Sequence, residues 1–401
     1  MSRVWRTWAV LVLFALGTSL ITPLIPLYQE RLGFSDTVVT LFLGCYVIAL
    51  VPSMLTLGQL SDRVGRRGVL LGALGVLALA QALLITEPPL WGLLVARGIQ
   101  GLATGAFFGT CTAFLVDAAP PGRRLFVSVL GSVSIRLGLG LGPGVGGVIA
   151  QYAGDPLRLP FELHLVALAV AALIVLGLPE TVTVRSRRPL SLRLEVPAAE
   201  RAVFWRVLVP SGALFSLFDG VALSLIPVFL VRDLDIDNYA VVGAAGFLVL
   251  VSGAVSQLVL PRLAPERAIG WGLAAAAVAS VGVVAAAPAG SAALALAAVA
   301  ATGAAAGLVF KGGVDLCTRI APIEDRGKLI SSYYVACYLG GFSVPLLVVG
   351  ALSDLIGLTG ALACLSGAAA VGAAWTWGVG LRSLAGLAPP GRDALPGAAA
   401  E

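Results

Sequence analysis

Five charged residues interrupt long apolar stretches of the chain, and their chemistry can be inferred first. They are Arg97, Arg136, Asp219, Lys311 and Asp315. A charge inside such a stretch is costly, so it marks either an ion pair or a path for a solute or a proton. Lys311 and Asp315 stand four residues apart, on one face of a helix, where they can neutralise each other.

Asp219 is the carboxylate that we predict to carry a proton. Arginine keeps its proton at any usable pH, so neither Arg97 nor Arg136 can gain and lose one. Burial favours the protonated form of a carboxylate, whereas a nearby arginine favours the ionised form. Alternation between these two surroundings would let Asp219 take up and release a proton. Asp315 is the next candidate for this role.

The composition indicates a membrane protein without a metal or cofactor. Of 401 residues, 59% are hydrophobic and only 12% are charged, about half the charged share of a soluble domain. The net charge of +5 comes from short basic clusters between apolar runs, which does not suit a nucleic-acid-binding face. Five scattered cysteines and one histidine give no metal-ligand pattern. We expect that histidine, His164, to lie at the outer surface.

The apolar runs predict an all-α integral membrane fold with twelve spans of about 20 residues each. The predicted spans are 8–29, 37–58, 68–86, 90–116, 124–151, 161–179, 204–231, 239–261, 268–288, 290–317, 328–352 and 358–381. Of the 26 lysines and arginines, 20 fall in segments on one side of these spans and three on the other. Because basic loops stay in the cytoplasm, both termini are predicted to be cytoplasmic. The acidic loop at 233–238 is predicted to lie outside.

An internal repeat divides the chain into two halves. Leu24-Ile25-Pro26 with Arg31 recurs as Leu225-Ile226-Pro227 with Arg232, at a separation of half the chain. Such duplication is common among transporters. The sequence therefore predicts an N-terminal six-helix bundle (1–180), a cytoplasmic linker (181–203), a C-terminal six-helix bundle (204–385) and a disordered tail (386–401). We expect the linker to hold an interfacial helix lying on anionic lipid.

A charged loop separates the second and third predicted spans. It runs from Gly58 to Arg67 and reads Gly-Gln-Leu-Ser-Asp-Arg-Val-Gly-Arg-Arg. So many charges cannot lie unpaired in lipid, so these residues form an aqueous loop. Its three arginines indicate the cytoplasmic side. The pattern resembles the loop between helices 2 and 3 of the major facilitator superfamily of transporters.

Further stretches resemble the twelve-helix drug/proton antiporter branch of that superfamily. Arg97-Gly98-Ile99-Gln100-Gly101 resembles the Arg-x-x-Gln-Gly signature of helix 4. Gly142–Gly147 resembles the Gly-Pro-x-x-Gly-Gly signature of helix 5, and Leu178-Pro179-Glu180-Thr181 fits the end of helix 6. The second half resembles the family less, because Pro261–Ala264 stands where the charged loop would recur and has no aspartate.

The resemblance implies roles for three groups of residues. The gating loop comprises Gly58, Asp62, Arg63, Gly65, Arg66, Arg67 and Asp117. Within it, Asp62 would face the start of helix 11 near Lys328–Ser332, and Arg66 would pair with Asp117. Arg97 with Gln100 would transfer protons or organise the cavity. Gly138, Gly142, Pro143, Gly146 and Gly147 would form a tight seam between the halves, as expected of a helix that is nearly bare of side chains.

We therefore predict a secondary active transporter, and not an enzyme, that exports a small molecule across the cytoplasmic membrane in exchange for protons. Its predicted partners are that small molecule and the lipid bilayer, without nucleic acid, and we expect a monomer. Proton-coupled uptake of a small solute is the alternative, because Arg136 departs from the antiporter pattern and would suit an organic anion. A third possibility is a membrane enzyme or a sensor that does not transport.

Overall fold

The computed structural model describes residues 1–120, 122–182, 194, 196–322, 325–380 and 382. Within them, twelve helices are long and apolar enough to cross a membrane, which confirms the predicted fold. We label them α1 (Ser2–Leu32), α2 (Asp36–Val64), α3 (Arg66–Ile85), α4 (Leu90–Asp117), α5 (Phe126–Tyr152), α6 (Leu159–Leu176), α7 (Ala198–Arg232), α8 (Tyr239–Val259), α9 (Pro265–Ala289), α10 (Ala292–Ile320), α11 (Arg326–Ile356) and α12 (Leu358–Gly380). Most of the predicted linker with its interfacial helix, and the predicted tail, lie outside the described residues.

The structure defines the boundary between α9 and α10 and moves the start of α7. The alanine-rich helices α9 and α10 are separated at Gly290, whose φ of +56° suits glycine. The Ser291 side chain then accepts the Leu294 N–H at 3.2 Å and caps α10. Helix α7 begins earlier than the predicted span 204–231, because the helical turns before Phe204 already belong to it.

The two ends of the bundle are distinguished by their charged residues. We call the end that carries Asp62 and Glu180 the inner end, which the arginine distribution predicts to face the cytoplasm. The opposite end, which carries Asp36 and Arg232, is the outer end. At the outer end Arg232 of α7 donates to both carboxylate oxygens of Asp36 in α2, at 2.9 and 3.2 Å. This pair joins the first half (α1–α6) to the second (α7–α12).

The apolar cores show where the halves pack together. One large core contains residues of both halves, including Phe42, Leu225 and Leu346. Toward the inner end each half has its own core, one around Leu70 in the first half and one around Leu316 in the second. The halves therefore share a core at the outer end and have separate cores at the inner end.

The contact between α5 and α8 corrects the predicted seam in part. Pro143 and Gly147 face α8: a Cβ on Gly147 would lie 2.9 Å from the Gly243 Cα atom. Gly138, Gly142 and Gly146 instead face α1 within the same half. The physical reason is helical spacing: residues four apart share one face, and Pro143 starts the neighbouring face.

Candidate functional site

Arg136 and Asp219 form an ion pair between the two halves. Arg136 lies on α5 and Asp219 on α7, and the Arg136 Nη2 atom is 3.3 Å from Asp219 Oδ2. Their side chains are 13% and 6% exposed. Arg136 Nη1 and Asp219 Oδ1 are buried without a hydrogen-bond partner. The pair therefore has one free donor and one free acceptor, where a substrate or a proton can bind.

The Arg136 guanidinium reaches into the second half through a gap left by a glycine. A Cβ atom on Gly253 of α8 would lie 2.6 Å from Arg136 Nη1, so a side chain there would displace the arginine. The Phe310 ring of α10 lies 5.4 Å from the guanidinium carbon, within cation–π range. Arg136 thus contacts α7, α8 and α10, although it belongs to the first half.

Arg97 is held inside the first half and does not reach Asp219. Its Nη1 atom donates to the Thr18 carbonyl at 2.8 Å and to Gln100 Oε1 at 2.7 Å. Its Nε atom donates to the Phe42 carbonyl at 3.3 Å. The guanidinium lies 4.8 Å from the centre of the Tyr46 ring. Of the two arginines that the sequence offered to Asp219, the structure pairs Arg136 with it, while Arg97 ties α4 to α1 and α2.

Lys311 and Asp315 form a separate pair on α10, as their spacing predicted. Lys311 Nζ donates to the Asp315 carboxylate. The Asp315 side chain is 43% exposed, far more than that of Asp219. These five charges, all among the described residues, thus fall into three groups, and of these groups the Arg136–Asp219 pair alone joins the two halves.

The charged loop holds the ion pair that the resemblance implies between Arg66 and Asp117. Arg63 lies in the last turn of α2, and Arg67 Nη2 donates to the Leu176 carbonyl at 2.7 Å. The predicted loop 58–67 is wrong in its extent: α2 continues to Val64 and α3 begins at Arg66, so only Gly65 lies between the helices. Gly65 has a φ of +108°, which explains a glycine at this turn. These contacts tie the ends of α2, α3, α4 and α6 into one unit of the first half.

Asp62 does not make the implied contact with the start of the eleventh helix. Its side chain is 60% exposed, and within the described residues its ion pair is with Arg66, at 3.7 Å. A Cβ on Gly58, one helical turn earlier, would meet nothing within 4 Å. The reason is the separation of the halves at the inner end, where each half has its own core.

Glu180, which follows α6, bonds to this loop, a role that its Leu-Pro-Glu-Thr motif alone did not reveal. Its carboxylate accepts the backbone N–H groups of Arg66 at 3.1 Å and Arg67 at 3.0 Å, which are free at the start of α3. Burial alone would raise the pKa of the Glu180 carboxyl, but the N–H donors of Val182, Arg67, Thr181 and Arg66 hold it below its ordinary value. The signal was present in the Leu-Pro-Glu-Thr motif after α6.

His164 lies in the interior, contrary to our expectation of a surface residue. It is 2% exposed, and its Nε2 atom lies 2.9 Å from the Leu13 carbonyl of α1. Its ring occupies the space where Gly17 lacks a side chain. Because α6 packs against α1 through this glycine, the histidine is buried near the end of its helix.

Known proteins resemble this chain in sequence. Residues 7–345 match the family model of the Major Facilitator Superfamily. The class C tetracycline resistance protein of Escherichia coli is 30% identical over 192 residues, 46% of each chain. The multidrug resistance protein MdtG of Proteus mirabilis is 31% identical over 160 residues, 38% of this chain and 39% of MdtG. The aligned parts thus span less than half the length of these relatives.

Solved structures share the fold at low sequence identity. A POT family transporter in complex with 5-aminolevulinic acid superposes with a TM-score of 0.79 at 13% identity, covering 94% of this chain and 96% of that one. A bacterial homologue of the lysosomal transporter Spinster, in an inward-facing and unoccupied conformation, gives 0.72 at 15% identity, covering 97% and 98%. The family match extends over most of the chain, and the protein belongs to the Major Facilitator Superfamily of transporters.

Proposed function

We propose that this transporter exports a small molecule in exchange for protons, and that Asp219 carries the proton. The observation behind this proposal is the Arg136–Asp219 pair, a titratable carboxylate paired with an arginine of the other half at 3.3 Å. Relatives named for tetracycline and multidrug resistance support export. We further propose that the protein acts as a monomer in the cytoplasmic membrane, with both termini inside.

In the proposed cycle, the charge on Asp219 controls a contact between the halves. Ionised Asp219 attracts Arg136 and holds α7 against α5 at mid-membrane. A proton on Asp219 removes that attraction and leaves the two halves free to separate there. A substrate shifts the equilibrium between these two states only if its affinity differs between them, and different contacts in each state can supply that difference. Asp219 Oδ1 and Arg136 Nη1, which lack partners here, supply such contacts to a substrate that competes with the proton.

The gating loop supports alternating access from the inner end. We propose that Asp62, exposed in this outer-closed state, accepts backbone N–H groups of the first turn of α11 when the inner end closes. A carboxylate at a helix N-terminus is stabilised by about 0.5–1 kcal/mol at an exposed site. That free energy biases a two-state equilibrium without locking it.

The second candidate function is proton-coupled uptake of an organic anion. Arg136 favours it, since its unpartnered Nη1 atom would suit a carboxylate or phosphate group. Everted membrane vesicles distinguish the two functions. With a panel of cationic, neutral and anionic compounds, export predicts substrate accumulation in the vesicles, driven by an acidic interior, with protons leaving as substrate enters. Uptake predicts that substrate and protons leave the vesicles together.

A further inference from the structure

One octapeptide pattern occurs at the ends of four helices. The segment 58–65 at the end of α2 reads Gly-Gln-Leu-Ser-Asp-Arg-Val-Gly, and 350–357 at the end of α11 reads Gly-Ala-Leu-Ser-Asp-Leu-Ile-Gly. The segments 147–154 (Gly-Val-Ile-Ala-Gln-Tyr-Ala-Gly) and 253–260 (Gly-Ala-Val-Ser-Gln-Leu-Val-Leu) end α5 and α8. The fifth position is therefore Asp62, Gln151, Gln257 or Asp354, a side chain with a carbonyl or carboxylate acceptor in each.

The first and last of these segments also share a local structure. Gly65 has φ +108° and ψ 143°, and Gly357 has φ +81° and ψ 157°. The Gly65 N–H donates to the Ser61 carbonyl at 3.1 Å, and the Gly357 N–H donates to the Ser353 carbonyl at 3.0 Å. Asp62 and Asp354 thus stand at equivalent points on two helix ends, one at the inner end of the molecule and one at the outer end.

At the outer end the fifth position caps a helix of the opposite half. The Asp354 carboxylate accepts the N–H groups of Asp36 at 2.8 Å and Thr37 at 3.1 Å, in the first turn of α2. Gln151 Oε1 accepts the N–H of Tyr239, the first residue of α8, at 2.7 Å. These N–H groups have no partner within their own helices. Each acceptor therefore satisfies a donor that the other half leaves free.

The first glycine of each outer segment allows this approach. A Cβ on Gly350 would lie 2.6 Å from Thr40 Oγ1 and 2.9 Å from the Asp36 carbonyl oxygen, in α2. A Cβ on Gly147 would lie 2.9 Å from the Gly243 Cα atom, in α8. Either side chain would force the first turn of the opposite helix away and break the cap.

At the inner end the same positions bond within their own half. Asp62 pairs with Arg66, and Gln257 Nε2 donates to the Gly253 carbonyl at 3.0 Å, within its own helix. A Cβ atom on Gly58 would meet nothing within 4 Å. Helix α2 runs antiparallel to α11, and α5 runs antiparallel to α8. The acceptor at the C-terminal end of each helix therefore lies beside the N-terminus of the helix it is paired with.

We propose that Asp354 and Gln151 form the outer gate of the transporter, and that Gln257 joins Asp62 as the inner gate in the opposite state. Two antiparallel helices that tilt against each other can meet at one end at a time, so the outer and inner caps exclude each other. Gln257 would then accept backbone N–H groups of the first turn of α5. The inference rests on the alternating access of the proposed function but not on its proton coupling or substrate.

The test measures the outer opening directly. Spin labels at Glu162→Cys and Ala289→Cys, exposed outer-end sites in opposite halves, report the distance between the halves in a cysteine-free protein in lipid nanodiscs without substrate. The parent should populate mainly the short distance. Asp354→Ala combined with Gln151→Leu should raise the ratio of outer-open to outer-closed molecules about tenfold, because several hydrogen bonds between the halves are lost. Gln151→Glu keeps an acceptor oxygen and should retain the parent distribution.

The matched control removes outer ion pairs that do not join the halves. Glu87 pairs with Arg31 and with Arg158, all in the first half. Glu87→Gln should therefore leave the distance distribution unchanged. The proposal is overturned if the double variant, folded and monodisperse, keeps the parent distribution, or if Glu87→Gln shifts it equally. The distance measurement uses no proton gradient and no substrate. A failed export assay would therefore not overturn the outer gate, and a failed distance test would not overturn proton-coupled export.

Discussion

Arg136 and Asp219 meet from opposite halves of the protein, with 3.3 Å between the guanidinium and the carboxylate. An ion pair within one half would move as a unit and stay the same in every state. A pair between halves changes when the halves rearrange, so its protonation and the conformation must be linked. That linkage is what a proton-driven transporter needs.

We predict that Asp219→Asn abolishes proton-driven transport while substrate binding and downhill exchange continue. The asparagine cannot gain or lose a proton, so the contact with Arg136 no longer follows the proton gradient. Substrate accumulation in everted vesicles at several pH values, with equilibrium binding on purified protein, separates the two effects. Wild-type, pH-dependent accumulation would refute the assignment and direct attention to Asp315.

The double variant Arg136→Gln with Asp219→Asn controls for stability. Removing one partner of a buried pair leaves an uncompensated charge and costs about 3–5 kcal/mol, whereas replacing both can be nearly neutral. We therefore expect Asp219→Asn to lower the thermal unfolding midpoint and the double variant to recover much of it. Coupling should remain absent in both, which distinguishes lost protonation from lost folding.

The sequence located the intramembrane charges but could not show which of them meet. Asp219 and Arg136 were identifiable because a charge in an apolar run is costly, and Lys311 with Asp315 because their spacing is local. From the sequence, either Arg97 or Arg136 could lie near Asp219, yet backbone carbonyls of α1 and α2 hold Arg97. Those carbonyls come from distant helices, so only the folded structure identifies them. The surface position predicted for His164 is wrong for the same reason. The space that its ring fills is left by Gly17 of α1, and the sequence of α6 alone does not indicate it.

Glu180→Gln should reduce the stability of the inner loop in a pH-dependent way. The pKa of Glu180 is lowered in the folded protein, so its stabilising effect is present above its ordinary pKa and is lost as pH falls through the folded value. A lost cap costs about 1 kcal/mol. The difference in unfolding midpoint between parent and variant should be largest near pH 7 and should narrow as pH falls below about 4. A difference that stays constant over this range would contradict the role of the ionised carboxylate.

Topology can be checked by labelling single cysteines in a cysteine-free background. A cysteine at Asp235, in the acidic loop between α7 and α8, should react with an impermeant thiol reagent added to intact cells. A cysteine at Arg262, in the loop between α8 and α9, should react only after the cells are opened. Both sites are exposed, so the membrane alone should decide the outcome. Reversed labelling would overturn the assignment of the inner end to the cytoplasm.

Asp62→Asn should shift the protein toward the outer-closed state shown here. In this state Asp62 is exposed and pairs with Arg66, so the substitution costs little. In the opposite state it would remove a carboxylate from a helix N-terminus, at about 1 kcal/mol, or roughly a fivefold change in the ratio of states. Asp117→Ala frees Arg66 to hold Asp62 in place and should act in the same direction. Both variants should stay folded and slow turnover.

The readout is the distance between spin labels at Gly68→Cys and Arg262→Cys, which lie at the inner end in opposite halves. Glu266→Gln is the matched control, since its carboxylate pairs with Arg319 at the inner end but within the second half. Asp62→Asn should enrich the long distance, and Glu266→Gln should not. If Asp62→Asn gives the same distance distribution as the parent protein, Asp62 caps no helix of the second half. Its exposure in this structure would then hold in every state of the cycle.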